Sequence, residues 1–286
     1  MTAGALSDGD LSIDGSRLPT LSVLLCVNRS NPWLLAAIRS VLEQDDPDFE
    51  FLIAANSCED LLWEELQLAT QRDDRVKLSR TGIGQLAFNL NFLADRASGD
   101  YLVRMDADDL CEPHRIGVLR SALSKDPVDV LGSAVLLIDE QDNVVGRMDL
   151  PLTGADIVRA LPARTALCHP AVAIRRQFLL DMRGYLGGFA SEDTDLWLRA
   201  SRAGARFKNL PDALLRYRVH AGQSIASRAG YAEVASHWLR EWLLAPSFYT
   251  FKGAFLSLIK CIAMSWLPGI RRYRATSSSN RRAESE

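Results

Sequence analysis

Along the first hundred residues the apolar positions switch between two periods. Leu21-Ser22-Val23-Leu24-Leu25-Cys26-Val27 is a short run rich in branched residues, closed by the turn-forming Asn28-Arg29-Ser30-Asn31-Pro32, and it predicts a buried parallel strand. Trp33, Leu34, Ala37, Ile38, Val41 and Leu42 then recur at helical spacing until Asp45-Asp46-Pro47 stops them. Residues 49–54 read as a second strand, 61–70 as a second helix, 76–78 as a weak third strand and 85–96 as a third helix. After the Ser98-Gly99-Asp100 turn, 101–105 reads as a fourth strand. Strands alternating with amphipathic helices call for right-handed crossovers and an open parallel sheet covered on both faces, an α/β class of fold.

Beyond Pro127 the rhythm changes. Strand-like segments at 128–138 and 144–148 flank the turn Asp139-Glu140-Gln141-Asp142-Asn143, and helical and extended pieces then mix up to about Ile225. This stretch reads as a second half of the same domain. From Tyr231 onward large apolar residues crowd together, from Trp238 to Leu267. Lys252 and Lys260 interrupt that run, whereas a membrane span wants about 18 or more nearly uncharged residues. Three readings stay open for it: an amphipathic helix in an anionic membrane interface with Arg271, Arg272 and Arg274 on the headgroups, a helix packed on the core, or a dimer contact.

At 286 residues, 48% of them hydrophobic and 24% charged, the chain can bury one sizeable core with an appendage. A net charge of −3 supplies no global field for nucleic acid, so no nucleic-acid partner is expected. The five cysteines are scattered without a Cys-x-x-Cys pair, which argues against a disulfide framework or structural zinc and fits a cytoplasmic setting. Cys111 with His114, and Cys168 with His169, lack a complete ligand set. Residues 1–18 are polar and acidic, without the basic and apolar regions of a secretory signal, and read as a disordered tail.

The candidate chemistry begins where the fourth strand ends. Asp106, Asp108 and Asp109 follow it directly, and ligands of open α/β sheets bind beyond the carboxyl ends of the strands. Carboxylates this close repel unless a cation or solvent neutralises them; Mg2+ or Mn2+, held by one or two carboxylates and substrate phosphate, is the natural choice. A plainer role is helix capping, with Asp108 or Asp109 at the start of a helix near Pro113.

From Gly84 onward an ordered set of segments narrows the choice: Gly84-Gln85-Leu86-Ala87-Phe88-Asn89-Leu90-Asn91, Gly99 through Asp109, and His169-Pro170-Ala171-Val172-Ala173-Ile174-Arg175-Arg176. Gly187-Gly188-Phe189, Ser191-Glu192-Asp193-Thr194-Asp195-Leu196-Trp197-Leu198-Arg199 and Leu215-Arg216-Tyr217-Arg218-Val219-His220 complete it. In these the chain resembles bacterial family-2 glycosyltransferases. The resemblance covers Leu21 to about Ser227 and implies a GT-A fold, with a single Rossmann-like nucleotide-binding sheet (19–110) and a mixed acceptor-side half (111–227). Residues 228–286 lie outside it and read, from their own apolar pattern, as an amphipathic helical tail that associates with a membrane in the first of the three readings.

It also implies roles. Asp108 matches the metal ligand of the D-x-D motif, Asp106 serves the donor ribose or the metal's water shell, and Asp193 matches the general base. Glu192, His169 and Trp197 fall on the acceptor side. Cys26, Asn28, Asn56, Gly84, Asn89 and Ala107 fall with Asp106 on the nucleotide-sugar side, and His220 is suited to a diphosphate or metal contact. Asp193 has a plainer alternative as the cap of its own helix. The implied reaction is inverting transfer from a nucleotide-sugar donor, a UDP-sugar first, to a glycan or lipid-linked acceptor in cell-envelope polysaccharide synthesis. A fold-sharing protein that binds the donor without turnover is the alternative. Two strand ends depart from the family: Val27-Asn28-Arg29 replaces its usual Tyr-Asn pair, and Ala55-Asn56-Ser57-Cys58 its Asp-Asp-Gly-Ser. Asn56 can still accept a hydrogen bond from a base, without charge, and this leaves GDP- and dTDP-sugars open.

Overall fold

The computed structural model describes residues 17–188, 190–220 and 228–266. Of the expected N-terminal tail only Arg17 and Leu18 fall within them, and the Arg17 guanidinium holds Asp100 at 2.9 Å. The arginine-rich stretch at 271–282 lies outside the described residues.

The first half follows the expected alternation: β1 (Leu21–Val27), α1 (Leu34–Leu42), β2 (Phe49–Asn56), α2 (Asp60–Thr70), β3 (Val76–Thr81), α3 (Leu86–Arg96) and β4 (Tyr101–Met105). β1 lies between β2 and β4, with β3 beyond β2, all parallel, so the four carboxyl ends share one edge. Alternate residues of these strands feed two cores. Leu21, Val23, Leu25 and Val27 pack with Leu34, Ile38 and Val41 of α1 on one face. Leu24, Leu52, Ala54 and Leu102 pack with Leu90 and Leu93 of α3 on the other.

The second half contributes β5 (Leu110–Cys111), α4 (Arg115–Lys125), β6 (Val130–Ile138), β7 (Val144–Met148) and α5 (Gly154–Ala160). A 3-10 turn (His169–Ala171), β8 (Ala173–Arg175), α6 (Arg176–Asp181), α7 (Glu192–Arg202) and β9 (Phe207–Arg218) follow. β8 runs antiparallel between β4 and β6, β9 is parallel to β6, and β5 closes antiparallel on β9. Among the described residues this makes one nine-stranded mixed sheet in the order β3-β2-β1-β4-β8-β6-β9-β5, with β7 paired to β6. Residues 106–109 alone join β4 to β5, which stands four places along the sheet. Four strand spacings in a flat sheet come to about 19 Å, the full stretch of such a link. The sheet therefore curls, and the acidic residues sit where the curl closes.

The C-terminal segment forms α8 (Arg228–Leu244) and α9 (Phe248–Trp266), folded back on each other. Trp238 of α8 is 2% exposed and lies edge-on to Tyr249. A Cβ at Gly253 would come within 2.0 Å of the Trp238 ring, so only glycine admits this close approach. The hairpin is tied to the core: Tyr249 Oη donates to the Val158 carbonyl at 3.0 Å and Lys260 Nζ to the Ala163 carbonyl at 2.9 Å. One side of the hairpin thus packs on the core, while the opposite side of α9 stays exposed, with Phe248, Phe251, Phe255, Leu258, Ile259 and Ile262 on it. No described helix is long and apolar enough to cross a membrane.

Candidate active site

The link after β4 is pinned from both sides. The Ala107 carbonyl accepts from Asn31 Nδ2 at 3.3 Å and the Asp108 carbonyl from Arg218 Nε at 2.7 Å. Asp109 Oδ1 accepts from the Arg218 backbone N–H at 2.8 Å, across the curl of the sheet. Asp108 Oδ2 lies 2.9 Å from His220 Nε2, and the Trp33 ring lies over both His220, at 4.7 Å, and the Arg218 guanidinium, at 5.0 Å. The capping role for Asp108 or Asp109 is not realised. Helix α4 starts at Arg115, its cap position is His114, and Asp109 instead secures the end of β9.

One carboxylate oxygen each from Asp106, Asp108 and Asp109 lie within 4.8 Å of one another. Asp109 is 1% exposed and its Oδ2 has no hydrogen-bond partner among the described residues. Burial, reinforced by the charges of Asp106 and Asp108, holds its carboxyl well above the usual aspartate range. An unpartnered buried oxygen in a crowded carboxylate set fits a hard divalent cation, which takes oxygen ligands and removes that repulsion. The donor set suits Mg2+ or Mn2+.

A second carboxylate pair stands at the start of α7. Ser191 occupies its cap position, so Asp193 sits inside the first turn and does not cap the helix; its Oδ1 accepts from the Thr194 backbone N–H at 2.6 Å. Burial pushes the Asp193 carboxyl up, against the hydrogen bonds from Thr194 and the attraction of Arg104. Burial and the Asp193 charge likewise push Glu192 up. Between the two carboxylate sets lies Arg104, 3% exposed, with Nη2 at 2.5 Å from Asp106 Oδ1. Its charge acts on Asp109, Glu192, Asp193 and Cys26 alike. Sequence reasoning missed Arg104. The available signal was a lone arginine in an apolar strand, two residues before Asp106 and hence on the same face.

The other two residues expected on the acceptor side, His169 and Trp197, pack against each other. His169 is buried, with Nε2 at 2.9 Å from Tyr185 Oη, and burial pushes its pKa well below the ordinary histidine value, which keeps it neutral. Trp197 is 3% exposed and edge-on to His169, placed in the core and not at an open surface.

On the nucleotide side, Cys26, Asn28 and Asn56 gather at the carboxyl ends of β1 and β2. Asn28 is exposed; the Cys26 thiol is pushed up to about 12 by burial, with Arg104 opposing. Asn56 is 5% exposed and its side-chain oxygen has no partner among the described residues. Gly84 passes so close to β2 that a Cβ there would meet Ser57 Cβ at 3.3 Å. Asn89, expected on the nucleotide-sugar side, is fully buried and braces the chain ahead of α3. Its oxygen accepts from Thr81 Oγ1, and its amide donates to the carbonyls of Ile83 and Gln85 at 2.7 Å, so it shapes the loop ahead of α3.

A Rossmann-like parallel sheet with an acidic link at its strand ends, extended by a mixed half that brings a second carboxylate pair to the same cleft, is the GT-A arrangement of glycosyltransferases. The profile of Glycosyl transferase family 2 matches residues 22–183. The chain is 32% identical over 249 residues to the O-antigen biosynthesis glycosyltransferase WbnJ of Escherichia coli, covering 86% of this chain and 97% of that one. It is 25% identical over 181 residues to an E. coli UDP-Gal:alpha-D-GlcNAc-diphosphoundecaprenol beta-1,3-galactosyltransferase, covering 63% and 66%. Among solved structures, S. aureus TarS 1-349 in complex with UDP-GlcNAc superposes with a TM-score of 0.64 at 19% identity, over 82% of this chain and 69% of that one. Pyrobaculum calidifontis PcManGT in complex with GDP-Man and Mn2+ gives 0.62 at 16%, over 94% and 82%. This chain belongs to glycosyl transferase family 2.

Proposed function

We propose that this glycosyltransferase is metal-dependent and inverting, and that it moves a sugar from a nucleotide-sugar donor, UDP-linked first, to a hydroxyl of a glycan or lipid-linked acceptor in cell-envelope polysaccharide synthesis. The observation that carries the reading is the pair of carboxylate sets on either side of the buried Arg104. The acceptor oxygen attacks the anomeric carbon while the bond from that carbon to the diphosphate oxygen breaks, and Asp193 takes the hydroxyl proton. A base and a leaving-group site on opposite sides of the sugar give inversion. Asp106, Asp108 and Asp109 would hold the ion, with His220 steadying Asp108. When bound, a divalent ion supplies Lewis-acid stabilisation of the departing diphosphate. Arg104 keeps Asp193 closer to its ionised form and binds Asp106 in place.

Relatives named for O-antigen synthesis and for a diphosphoundecaprenol substrate support the acceptor class; UDP-GlcNAc on TarS supports the donor. A lipid-linked acceptor must be met at a bilayer, and α9 suits a peripheral position on the cytoplasmic face. Its buried stripe is small, with Thr250, Gly253 and Ser257, while Phe248, Phe251, Phe255, Leu258, Ile259 and Ile262 line an exposed stripe at helical spacing. The following sequence supplies Arg271, Arg272 and Arg274 for anionic headgroups.

The test is a panel of UDP-, GDP- and dTDP-sugars with Mn2+, offered with lipid diphosphate-linked sugars and free oligosaccharides. Product anomeric configuration is read by NMR. Donor binding without transfer or donor hydrolysis across the panel would replace this reading with a binding protein; retained configuration would remove inversion. Flotation with phosphatidylglycerol vesicles, lost in the Phe251→Glu, Phe255→Glu double variant, is expected. No flotation of the full chain, or a stable dimer that the double variant dissociates, would assign the stripe elsewhere.

A further inference from the structure

The first turn of α7, which carries Glu192 and Asp193, lacks a side-chain cap of its own. Its support comes from α8. Glu233 Oε2 accepts from the Ala190 backbone N–H at 3.1 Å and from Ser191 Oγ at 2.9 Å, the two residues immediately before the pair. His237 Nε2 lies 3.1 Å from the same Ser191 Oγ. About one turn further along α8, Arg240 Nη1 donates to Asp195 Oδ1 at 2.5 Å, and Glu241 takes Arg202 Nη1 at 2.6 Å. Residues 233, 237, 240 and 241 share one face of a helix, so α8 lays a continuous polar stripe along α7. The seam is partly buried: Ser191 is 1% exposed, Asp195 2% and Glu241 3%, whereas Glu233, His237 and Arg240 are half-buried and Ala190 faces solvent. A carboxylate near the N-terminus of α7 also complements the unsatisfied N–H groups there. Gly188, at φ +114°, turns the chain into this contact, and a Cβ there would meet Glu233 Oε2 at 3.2 Å.

We propose that Glu233 is a positioning residue for the catalytic pair, and that the C-terminal hairpin is thereby part of the transferase machinery. Through Ala190 and Ser191 it fixes the backbone from which Asp193 reaches the acceptor hydroxyl, while the nucleotide end of the cleft is built by β1, β2 and β4 without it. This rests on Asp193 being the base. Displacement of about 1 Å at such a group costs on the order of a hundredfold in rate, so losses should fall on turnover and spare donor binding.

The experiment uses the full chain with Mn2+ and UDP-GlcNAc, or whichever donor the panel identifies, comparing Glu233→Ala, Glu233→Gln and Ser191→Ala with wild type. Glu233→Ala is expected to lower kcat about 10- to 100-fold, with donor KM and UDP affinity within about twofold. Glu233→Gln, which keeps an acceptor oxygen, restores most of kcat, and Ser191→Ala gives a smaller loss in the same direction. Circular dichroism and the UDP thermal shift identify a variant that has merely unfolded; Ser191→Ala then carries the test. A folded Glu233→Ala with wild-type kcat overturns the inference, as does a proportional rise in donor KM. Absence of turnover in wild type strikes the transferase reading itself and is seen before any variant is made.

Discussion

Asp108 and His220 meet at 2.9 Å, although 112 residues separate them. The contact joins the acidic link after β4 to the residue two beyond the end of β9, under the ring of Trp33. An imidazole beside a carboxylate that faces a cation site fixes the carboxylate's orientation, and partners of this kind typically change metal affinity 10–100-fold.

His220→Ala is therefore expected to weaken Mn2+ binding by roughly that 10–100-fold while UDP alone binds as before. Isothermal titration of Mn2+ into the UDP-bound protein reads the difference. Equal affinities would leave His220 a packing partner of Trp33. The companion Asp108→Asn should remove the Mn2+-dependent part of the thermal shift, since an ion that binds only the folded state raises its apparent stability.

Asp193→Asn should lower turnover by about 10²–10⁴-fold with donor affinity unchanged. The wild-type acid limb also carries information. A base works when deprotonated, and burial pushes Asp193 above the ordinary aspartate range. Activity should thus fall, as the pH drops, at a higher pH than an exposed carboxylate would give. A kcat profile flat down to pH 4 would place the base elsewhere.

Arg104→Met extends the same argument. Arg104 draws the pKa of Asp193 down, so removing its charge should move the acid limb to higher pH and lower kcat at neutrality. A limb that stays in place would confine Arg104 to its pairing with Asp106.

These residues also mark where sequence reading succeeds and where it stops. β1, α1, β2, α2, α3 and β4 were legible because each follows one hydrophobic period bounded by a turn, and β3 differed only in running on to Thr81. β9 was not: Asn209, Pro211 and Asp212 interrupt its pattern, and two register shifts against β6 absorb the irregularity. β5, at two residues, is too short to carry a period. The site divides similarly. Asp106, Asp108 and Asp193 could be proposed from motif order, whereas the bracing role of Asn89 and the place of Arg104 between the carboxylate sets depend on partners brought together only by folding. Glu233 could not be found, because a glutamate on a helix face is ordinarily solvated.

Glu50 offers a test of the parallel half alone. From β2 its carboxylate takes Ser22 Oγ of β1 at 2.5 Å, Lys77 Nζ of β3 at 2.5 Å and the Ser98 backbone N–H before β4 at 2.6 Å. Burial opposes its ionisation, but these donors outweigh burial and bring its pKa down to about 2. A folded-state pKa below the unfolded one contributes stability that is complete above the unfolded value of about 4.3 and disappears as pH falls from there through the folded value. Glu50→Gln should hence cost on the order of 2 kcal/mol at pH 7, the scale of charge-assisted hydrogen bonds. That cost should shrink steadily below pH 4. Urea midpoints for both proteins at pH 7, 5, 4 and 3 read it directly. A difference that stays constant across the series would mean that packing around residue 50, and not its charge, joins the strands.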